Sequence, residues 1–263
     1  MAQNSKIEWT DHTANLWWGC TKVHAGCDNC YAEYLSDIRY KNDLWGKDKP
    51  RKAIKSVWGN LYKFNAVAHD KGENHRVFVG SMMDIFEKPM PVINSKGELM
   101  TETTHDLRLK FFDFVESSTN LTFLLLTKRP SNINKYIPEK WKTLPPDNVW
   151  FGTSPVDQKT FNTLVPQLSK VNGNRFLSIE PQLGSIDFWH LPKTYEIMDK
   201  IGWIIQGGES GHNRRPFKNI WAYEVRRQCL ILKIPYFFKQ IDKVKPIPED
   251  LLIRELPDFV GCI

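Results

Sequence analysis

The amino-acid sequence predicts an α/β protein built as an incomplete parallel (β/α)6-type TIM barrel. Short apolar runs, rich in β-branched and aromatic residues, recur along its 263 residues and lack the polar alternation of half-exposed strands. Four of these runs begin 27 residues apart, at positions 121, 148, 175 and 202, which suits a unit of strand, loop, helix and loop. A doubly wound open sheet is the alternative arrangement that the same units permit.

The predicted elements alternate between strand and helix. A short strand near residues 14–18 comes first, followed by a group of cysteines and by a helix that begins at residue 31. Further strands are predicted at 77–81, 121–127, 148–154, 175–180, 202–207 and 235–239, and helices at 103–115, 158–168 and 218–232. Residues 40–60 and 181–200 contain Pro, Gly and aromatic residues, which suits ordered excursions over one end of the barrel.

We expect a single domain over residues 1–263, with a core at about 14–240 and a C-terminal extension at 241–263. No linker or low-complexity tract divides the chain, and a hydrophobic content of 41% excludes disorder as its main state. No apolar stretch approaches the roughly 18 residues of a membrane span, and the first residues lack the pattern of a secretion signal. The expected location is the cytoplasm, with no membrane partner.

The charge balance permits an acidic partner without demanding one. The formal net charge is +6 and the sequence pI is near 8.9, which is mild for a dedicated nucleic-acid module. Basic residues cluster loosely at 47–55 and at 214–218. Solvated faces and phosphate contacts are both open as interpretations of these clusters.

Polar residues end nearly every predicted strand. Because the carboxyl ends of parallel strands meet at one edge, and ligands of α/β folds bind beyond that edge, these residues are predicted to surround one site. The candidates are Ser81, Asp84, Thr127, Lys128, Arg129, Ser154, Glu180, Gly207, Gly208, Glu209, Ser210, Lys239 and Gln240. Their opposite charges favour a polar, zwitterionic ligand.

The tract QGGESG at residues 206–211 is the most glycine-dense point of the chain. Paired glycines let the backbone approach a ligand closely, and the amides of a turn that opens toward a helix can hold an anion. We therefore expect Gly207 and Gly208 to be required for ligand binding more than for folding. A tight turn that uses glycine for its own conformation is the alternative.

Three of the five cysteines stand close together, as Cys20-x6-Cys27-x2-Cys30, whereas Cys229 and Cys262 stand alone. In a chain without a secretion signal, such crowding favours metal or cluster ligation over disulfides. Three thiolates in one short loop can hold three irons of a cubane cluster and leave the fourth iron open. We therefore predict an N-terminal iron–sulfur cysteine loop, on the same edge as the polar strand ends.

A structural zinc site is the alternative for these cysteines. Such a site needs a fourth protein ligand, which His24, His12 or Asp28 can supply. The second cysteine pair that is usual in zinc ribbons is missing. Cys229, in the segment RRQCLILK, is expected to be a core residue instead of a hydrogen-atom donor, because it falls on an apolar helix face.

Six segments together resemble a known family. They are WWGCTKVHAGCDNCYAEY, VFVGSMMDIFE, LLLTKRP, VWFGTSPVDQ, FLSIEPQLG and WIIQGGESGHNRRPF, and they run from about residue 15 to 240. A three-cysteine loop after the first strand, followed by parallel βα units and a GGE at the edge, resembles the radical S-adenosylmethionine superfamily. The combination resembles its phage-type family with a three-cysteine motif, which is related to spore photoproduct lyase.

The resemblance implies that Cys20, Cys27 and Cys30 ligate a [4Fe-4S] cluster whose fourth iron binds the amino and carboxylate groups of S-adenosylmethionine. One electron from an external reductant would then cleave this cofactor to methionine and a 5'-deoxyadenosyl radical. The cofactor-binding candidates are Ser81, Asp84, Lys128, Ser154, Glu180, Gly207, Gly208 and Glu209. The family context also implies the cytoplasm of a bacterial or phage-infected host cell.

Two features depart from the superfamily pattern. Six residues separate the first two cysteines where three are usual, and Asn29 precedes the third cysteine where an aromatic residue is usual. The methionine-binding GGE of the superfamily usually follows the second strand, but here it lies near the sixth, at residues 207–209. The contact of Glu209 with the amino group of the cofactor is therefore left open.

Two functional hypotheses follow from these observations. The first is a radical S-adenosylmethionine enzyme that abstracts hydrogen from an unreactive carbon of a nucleic acid or modified base, in modification or repair. The second is a non-catalytic zinc-stabilised protein whose tryptophans stack on single-stranded nucleic acid. The first predicts a brown protein and the second a colourless one.

Overall fold

The computed structural model describes residue 5, residues 7–211 and residues 213–259. The strands are β1 (His12–Ala14), β2 (Trp17–Trp18), β3 (Arg51–Ala53), β4 (His75–Val79), β5 (Pro91–Ile93), β6 (Leu99–Thr103), β7 (Leu121–Thr127), β8 (Val149–Thr153), β9 (Asn174–Ile179), β10 (Trp203–Gly207) and β11 (Tyr236–Gln240). The helices are α1 (Tyr31–Glu33), α2 (Ser56–Lys71), α3 (Thr104–Ser117), α4 (Ile133–Tyr136), α5 (Gln158–Leu168), α6 (Thr194–Met198) and α7 (Asn219–Leu232), with a π-helix at Tyr34–Arg39 directly after α1. None of the helices within these residues is long and apolar enough to cross a membrane.

Seven strands form one curled, all-parallel sheet that makes half of a barrel, in the order β1-β4-β7-β8-β9-β10-β11. Strands that are neighbours in sequence from β7 to β11 are also neighbours in the sheet, as βα units require. Because every pair is parallel, all seven carboxyl ends meet at one edge. The predicted α/β class with a partial parallel barrel is confirmed.

The strands β4 and β7 to β11 lie within two residues of their predicted positions, as do the helices α3, α5 and α7. The first strand is placed differently from the prediction at 14–18. β1 ends at Ala14, and residues 17–18 form β2 in another sheet. The side chain of Asn15 divides the two strands, since its Oδ1 accepts the amide of Met82 at 2.7 Å. The apolar run continues across this change of sheet because Leu16 and Trp17 are buried as well.

A second sheet of four short strands, in the order β2-β3-β5-β6, was not predicted. It is built from the connections that follow β1 and β4, so part of the region 40–60 that looked irregular is β3 and the start of α2. Its strands contain two to five residues each, too few for a repeating pattern to show in the sequence.

Helix starts are fixed by side-chain caps. Thr103 caps α3, where its hydroxyl oxygen accepts the amide of His105 and its own amide donates to Asp106 in a capping box. Asp157 caps α5 in a box with Thr160. The apolar faces of the helices pack on the outer face of the half-barrel, in a large core that includes Phe111, Phe123 and Leu125.

The concave face of the half-barrel is filled by a second, aromatic cluster. It consists of Trp9, Phe78, Leu124, Trp150, Phe176, Trp203, Ile205 and Phe237. Gly152 belongs to this packing, because a Cβ there would lie 2.3 Å from the ring of Phe176. The cluster fills the end of the half-barrel where the strands begin, and the cavity lies at the edge where the strands end.

The segment after β11 covers that strand's free edge. Phe238 donates its amide to the carbonyl of Ile253 at 3.1 Å, and Glu255 donates to the carbonyl of Tyr236 at 3.2 Å. Arg254 reaches Glu8 at 2.7 Å and so joins this segment to the start of the chain. An edge strand that is paired in this way offers no template for association with another chain.

Candidate functional site at the carboxyl ends of the strands

A cavity of about 1170 Å³ opens at the carboxyl-end edge of the seven-stranded sheet, next to the aromatic cluster on the concave face. The sequence-predicted residues that line it are Cys20, Cys27, Cys30, Ser81, Asp84, Thr127, Lys128, Arg129, Ser154, Glu180, Gly208, Glu209, Ser210, Lys239 and Gln240. Gly207 is the candidate that does not line it. The fold therefore brings nearly the whole predicted set together, and their binding roles stay predictions.

The cysteine loop lies between β2 and α1. A 3-10 turn at Ala25–Cys27 is capped by His24, whose Nδ1 accepts the amide of Gly26 at 3.1 Å. Cys30 occupies the N-cap position of α1. Cys27 is buried, Cys20 and Cys30 are half-buried, and all three are free thiols. The loop thus presents three thiols to one cavity.

Two of these thiols have raised pKa values. Burial raises the pKa of Cys20 to about 12, the charge of Asp84 adds to the rise, and the nearby Arg129 opposes it. Burial also raises the pKa of Cys30, against the influence of Lys128. Both thiols therefore hold their protons at neutral pH in the metal-free protein, and metal ligation would release those protons.

Asp84 and Arg129 anchor the first half of the cysteine loop. Arg129 pairs with Asp84 at 2.7 Å, donates to the carbonyl of Thr21 and lies 3.9 Å from the sulfur of Cys20. Asp84 also accepts hydrogen bonds from the hydroxyl of Thr127 and the amide of Lys128. Its oxygens are thus occupied by protein donors from the end of β7.

Glu209 and Arg215 anchor the second half of the loop. Glu209, only 5% exposed, accepts hydrogen bonds from the amide and guanidinium of Arg215 and from Asn29 at 3.2 Å. Arg215 continues to the carbonyl of Ala25 at 2.9 Å and to Asp28 at 3.3 Å. Burial alone would raise the pKa of Glu209, but the hydrogen bonds from Arg215 and Asn29 hold it below its ordinary value. Glu209 is therefore an ionised anchor for the loop.

Two cavity groups have unused bonding capacity. The hydroxyl of Ser154 is fully buried at the end of β8 and has no hydrogen-bond partner among the described residues. Lys128, at the end of β7, uses its amide on Asp84, and no described carboxylate pairs with its ammonium group. A buried hydroxyl without a partner and a cation without a counter-ion indicate a polar, anionic ligand group.

Glu180 occupies the next strand end, and its carboxylate pairs with Lys239 at 2.7 Å. The side chain of Gln240 also donates to Glu180, at 3.0 Å. The two strands β9 and β11 flank β10, so this pair bridges the sheet above Gly208. Glu180 is half-buried and still lines the cavity.

Packing against the backbone accounts for glycine at both positions at the end of β10, whereas close approach to a ligand was the predicted reason. A Cβ on Gly208 would lie 2.0 Å from the carbonyl oxygen of Ile241, and a Cβ on Gly207 would lie 3.2 Å from that of Gln240. Gly207 thus admits the last residue of β11, and Gly208 admits the backbone directly after it. The expectation that they serve ligand approach ahead of folding does not agree with this packing.

Two of the three alternative zinc ligands are held elsewhere, whereas His24 lies in the cysteine loop, where its Nδ1 accepts the amide of Gly26 and its Nε2 is buried without a partner among the described residues. His12 lies on β1 and stacks on Phe64 of α2 at 3.9 Å, and Asp28 pairs with Arg215. In the part of the chain that is described, no three His, Cys, Asp or Glu side chains are grouped to hold a single metal ion. Cys229 is a buried core residue of α7, as expected, and Cys262 lies outside the described residues.

Several supporting residues were missed by sequence reasoning. Arg51 is fully buried and joins Glu87 at 2.8 Å to the hydroxyl of Thr21 at 2.8 Å, below the cysteine loop. It belongs to one of the loose basic clusters, and Arg215 belongs to the other. The only signal was the presence of arginine, instead of lysine, within each cluster, since arginine suits buried multidentate pairs.

Comparison with known proteins gives a family and no activity. The model of a family described as "Protein of unknown function (DUF5131)" matches residues 4–248, so the chain belongs to that family. No curated protein and no solved structure matches the chain.

Proposed function

We propose that this member of the DUF5131 family is a radical S-adenosylmethionine enzyme. Cys20, Cys27 and Cys30 would hold a [4Fe-4S] cluster at the edge of a partial barrel of the (β/α)6 type, with S-adenosylmethionine beside it. The observation that carries the proposal is that three free thiols line the same cavity as the unpartnered hydroxyl of Ser154.

The donor set suits a cluster. In a cubane each thiolate binds a different iron, so the three sulfurs need not converge on one point as they must around a single ion. When bound, the cluster supplies one electron, delivered by an external reductant, for cleavage of S-adenosylmethionine to methionine and a 5'-deoxyadenosyl radical.

The chain's own residues would prepare the site. Arg129 stabilises the Cys20 thiolate by its charge, and Glu209 with Arg215 holds the segment that contains Cys27. Lys128 and Ser154 would receive the carboxylate of the cofactor, or Ser154 its ribose. The aromatic cluster on the concave face of the half-barrel would exclude water from that end of the cavity.

The proposed substrate is a nucleic acid or a modified base, in the cytoplasm of a bacterial or phage-infected cell. Its support is the resemblance to the family related to spore photoproduct lyase and the net charge of +6.

The proposal is tested by anaerobic reconstitution with iron and sulfide, followed by dithionite and S-adenosylmethionine. We expect 5'-deoxyadenosine, measured by chromatography, from the parent protein and from a Cys229→Ala control, and none from Cys20→Ala. A protein that binds stoichiometric zinc, takes up no iron and forms no 5'-deoxyadenosine would overturn the proposal.

A further inference from the structure

The cavity has more room than one small molecule needs. Its volume of about 1170 Å³ exceeds the range of roughly 300–1,000 Å³ that is typical of a site for a single drug-sized ligand. The cysteine loop lines part of it. Segments outside the βα units also line it and contribute Ile7, Trp9, Lys243 and Ile247.

Most charges around the cavity are paired. Each lining acid has a basic partner: Asp84 with Arg129, Glu180 with Lys239, Glu209 with Arg215 and Glu8 with Arg254. Two other lining lysines are also matched, Lys22 with Glu33 at 2.7 Å and Lys245 with Asp242 at 3.9 Å. Lys128 and Lys243 remain, and within the described residues neither has a carboxylate partner.

The two unmatched lysines follow strands that are four places apart in the sheet, since Lys128 comes directly after β7 and Lys243 comes three residues after β11. The charge of Lys128 acts on Cys30 and His24, which places it beside the cysteine loop. The neighbours of Lys243 are Lys239 and Glu180, at the ends of β11 and β9. Lys243 is an exposed residue at the mouth of the cavity, and the loss of water around its ammonium group and the charge of Lys239 both lower its pKa. Glu180 thus lies near two ammonium groups, and its ion pair is with Lys239.

We propose that Lys243, with Lys239, binds a phosphate group of a second molecule, while the cofactor occupies the side of Lys128. An anion there would neutralise the excess charge, and lysine binds phosphate as a point charge without a fixed fork geometry. Ile7, Trp9 and Ile247 line the same cavity and offer apolar surface for the rest of that molecule. That this molecule is the substrate rests on the proposed function, whereas the anion site itself does not.

The test is calorimetric titration of the metal-free protein with inorganic pyrophosphate. We expect binding that weakens with added salt, and an affinity reduced about five-fold or more in Lys243→Gln, the loss of roughly one charge-assisted contact. Lys63→Gln, a matched charge removal on the exposed side of α2, should bind as the parent does. No binding by the parent, equal binding by Lys243→Gln, or a loss confined to Lys128→Gln would overturn the proposal.

A second titration, on the protein reconstituted anaerobically with iron and sulfide, separates this proposal from the proposed function. With saturating S-adenosylhomocysteine, pyrophosphate should bind with unchanged affinity if two molecules fit together, and competition between them would overturn the two-molecule arrangement. Failure of S-adenosylhomocysteine to bind would count against the proposed function, and the effect of Lys243→Gln would still decide the anion site.

Discussion

Asp84 and Glu209 show what a single residue at a strand end does in this protein. Both carry charges that a ligand site can use, yet their oxygens already accept hydrogen bonds from Arg129 and Arg215. Each arginine then reaches the backbone of the cysteine loop, at Thr21 and at Ala25. The two acids therefore act on the thiols through their arginines, as positioning residues.

Glu209→Gln should loosen the second half of the cysteine loop. The neutral amide loses the charged pairing with Arg215, a loss of about 1.5–3 kcal/mol in the free energy of unfolding for hydrogen bonds to a charged group. We expect faster reaction of Cys27 and Cys30 with a thiol reagent in the metal-free protein, and lower iron retention. Glu102→Gln, at an exposed position on β6, is the control. Unchanged thiol reactivity would show that Glu209 does not position the loop.

Gly208→Ala should destabilise the fold. The added methyl would lie 2.0 Å from the carbonyl oxygen of Ile241, and overpacking of this kind costs about 1–3 kcal/mol. Gly59→Ala is the matched control, since a Cβ there meets nothing within 4 Å in the interior of α2, and it should stabilise the protein by about 0.5–1 kcal/mol. Urea unfolding measures both. A Gly208→Ala protein as stable as the parent would return this glycine to the ligand-binding interpretation.

At the scale of elements, the long βα repeat was predictable and the short inserted strands were not. From β7 to β10 each strand has five to seven residues that are mostly apolar and mostly buried, without polar alternation, so the sequence marks it clearly. The second sheet depends on strands as short as β2, which has two residues. Its position is set by tertiary contacts such as the pair of Arg51 with Glu87, which no local pattern announces.

Because His12 of β1 is buried against α2, we expect the free energy of unfolding to fall in acid. Burial lowers the pKa of His12 from 6.5 to about 4, and the charges of His75 and Lys71 add to this against Asp11. A depressed pKa means that the neutral form is favoured in the folded state. The contribution of neutral His12 to the free energy of unfolding is fully present above pH 6.5 and is lost as the pH falls through about 4. This contribution is at most about 3 kcal/mol.

Urea unfolding between pH 7 and 4 measures this contribution. His12→Phe keeps a ring against Phe64 and should show a shallower loss than the parent. Part of the loss should remain, because the pKa of His24 is also lowered to about 4. His69→Gln, at an exposed position of α2, should leave the profile of the parent. Equal slopes for the parent and His12→Phe would contradict the assignment.

At the scale of the whole molecule, the strand topology brings the site residues together, and their ion pairs and hydrogen bonds decide which of them remain available to a ligand. Parallel strands place Lys128, Ser154 and Glu180 at one edge, which is why residues far apart in sequence were predicted to meet. The sequence cannot show that Glu180 is held by Lys239 while Ser154 has no partner, because those outcomes depend on side-chain geometry across different strands. The ligand-binding position is therefore indicated by the polar groups that have no partner among the described residues, and not by every polar residue of the edge.

The most direct test of the central claim is electron paramagnetic resonance of the reconstituted, dithionite-reduced protein with and without S-adenosylmethionine. Three protein thiolates leave one iron of a [4Fe-4S] cluster open, so we expect about four iron and four sulfide per chain and a signal that changes when S-adenosylmethionine is added. The signal should be lost in Cys20→Ala, Cys27→Ala and Cys30→Ala and kept in Cys229→Ala. A protein that takes up no iron, or a cluster signal that S-adenosylmethionine leaves unchanged, would contradict the account.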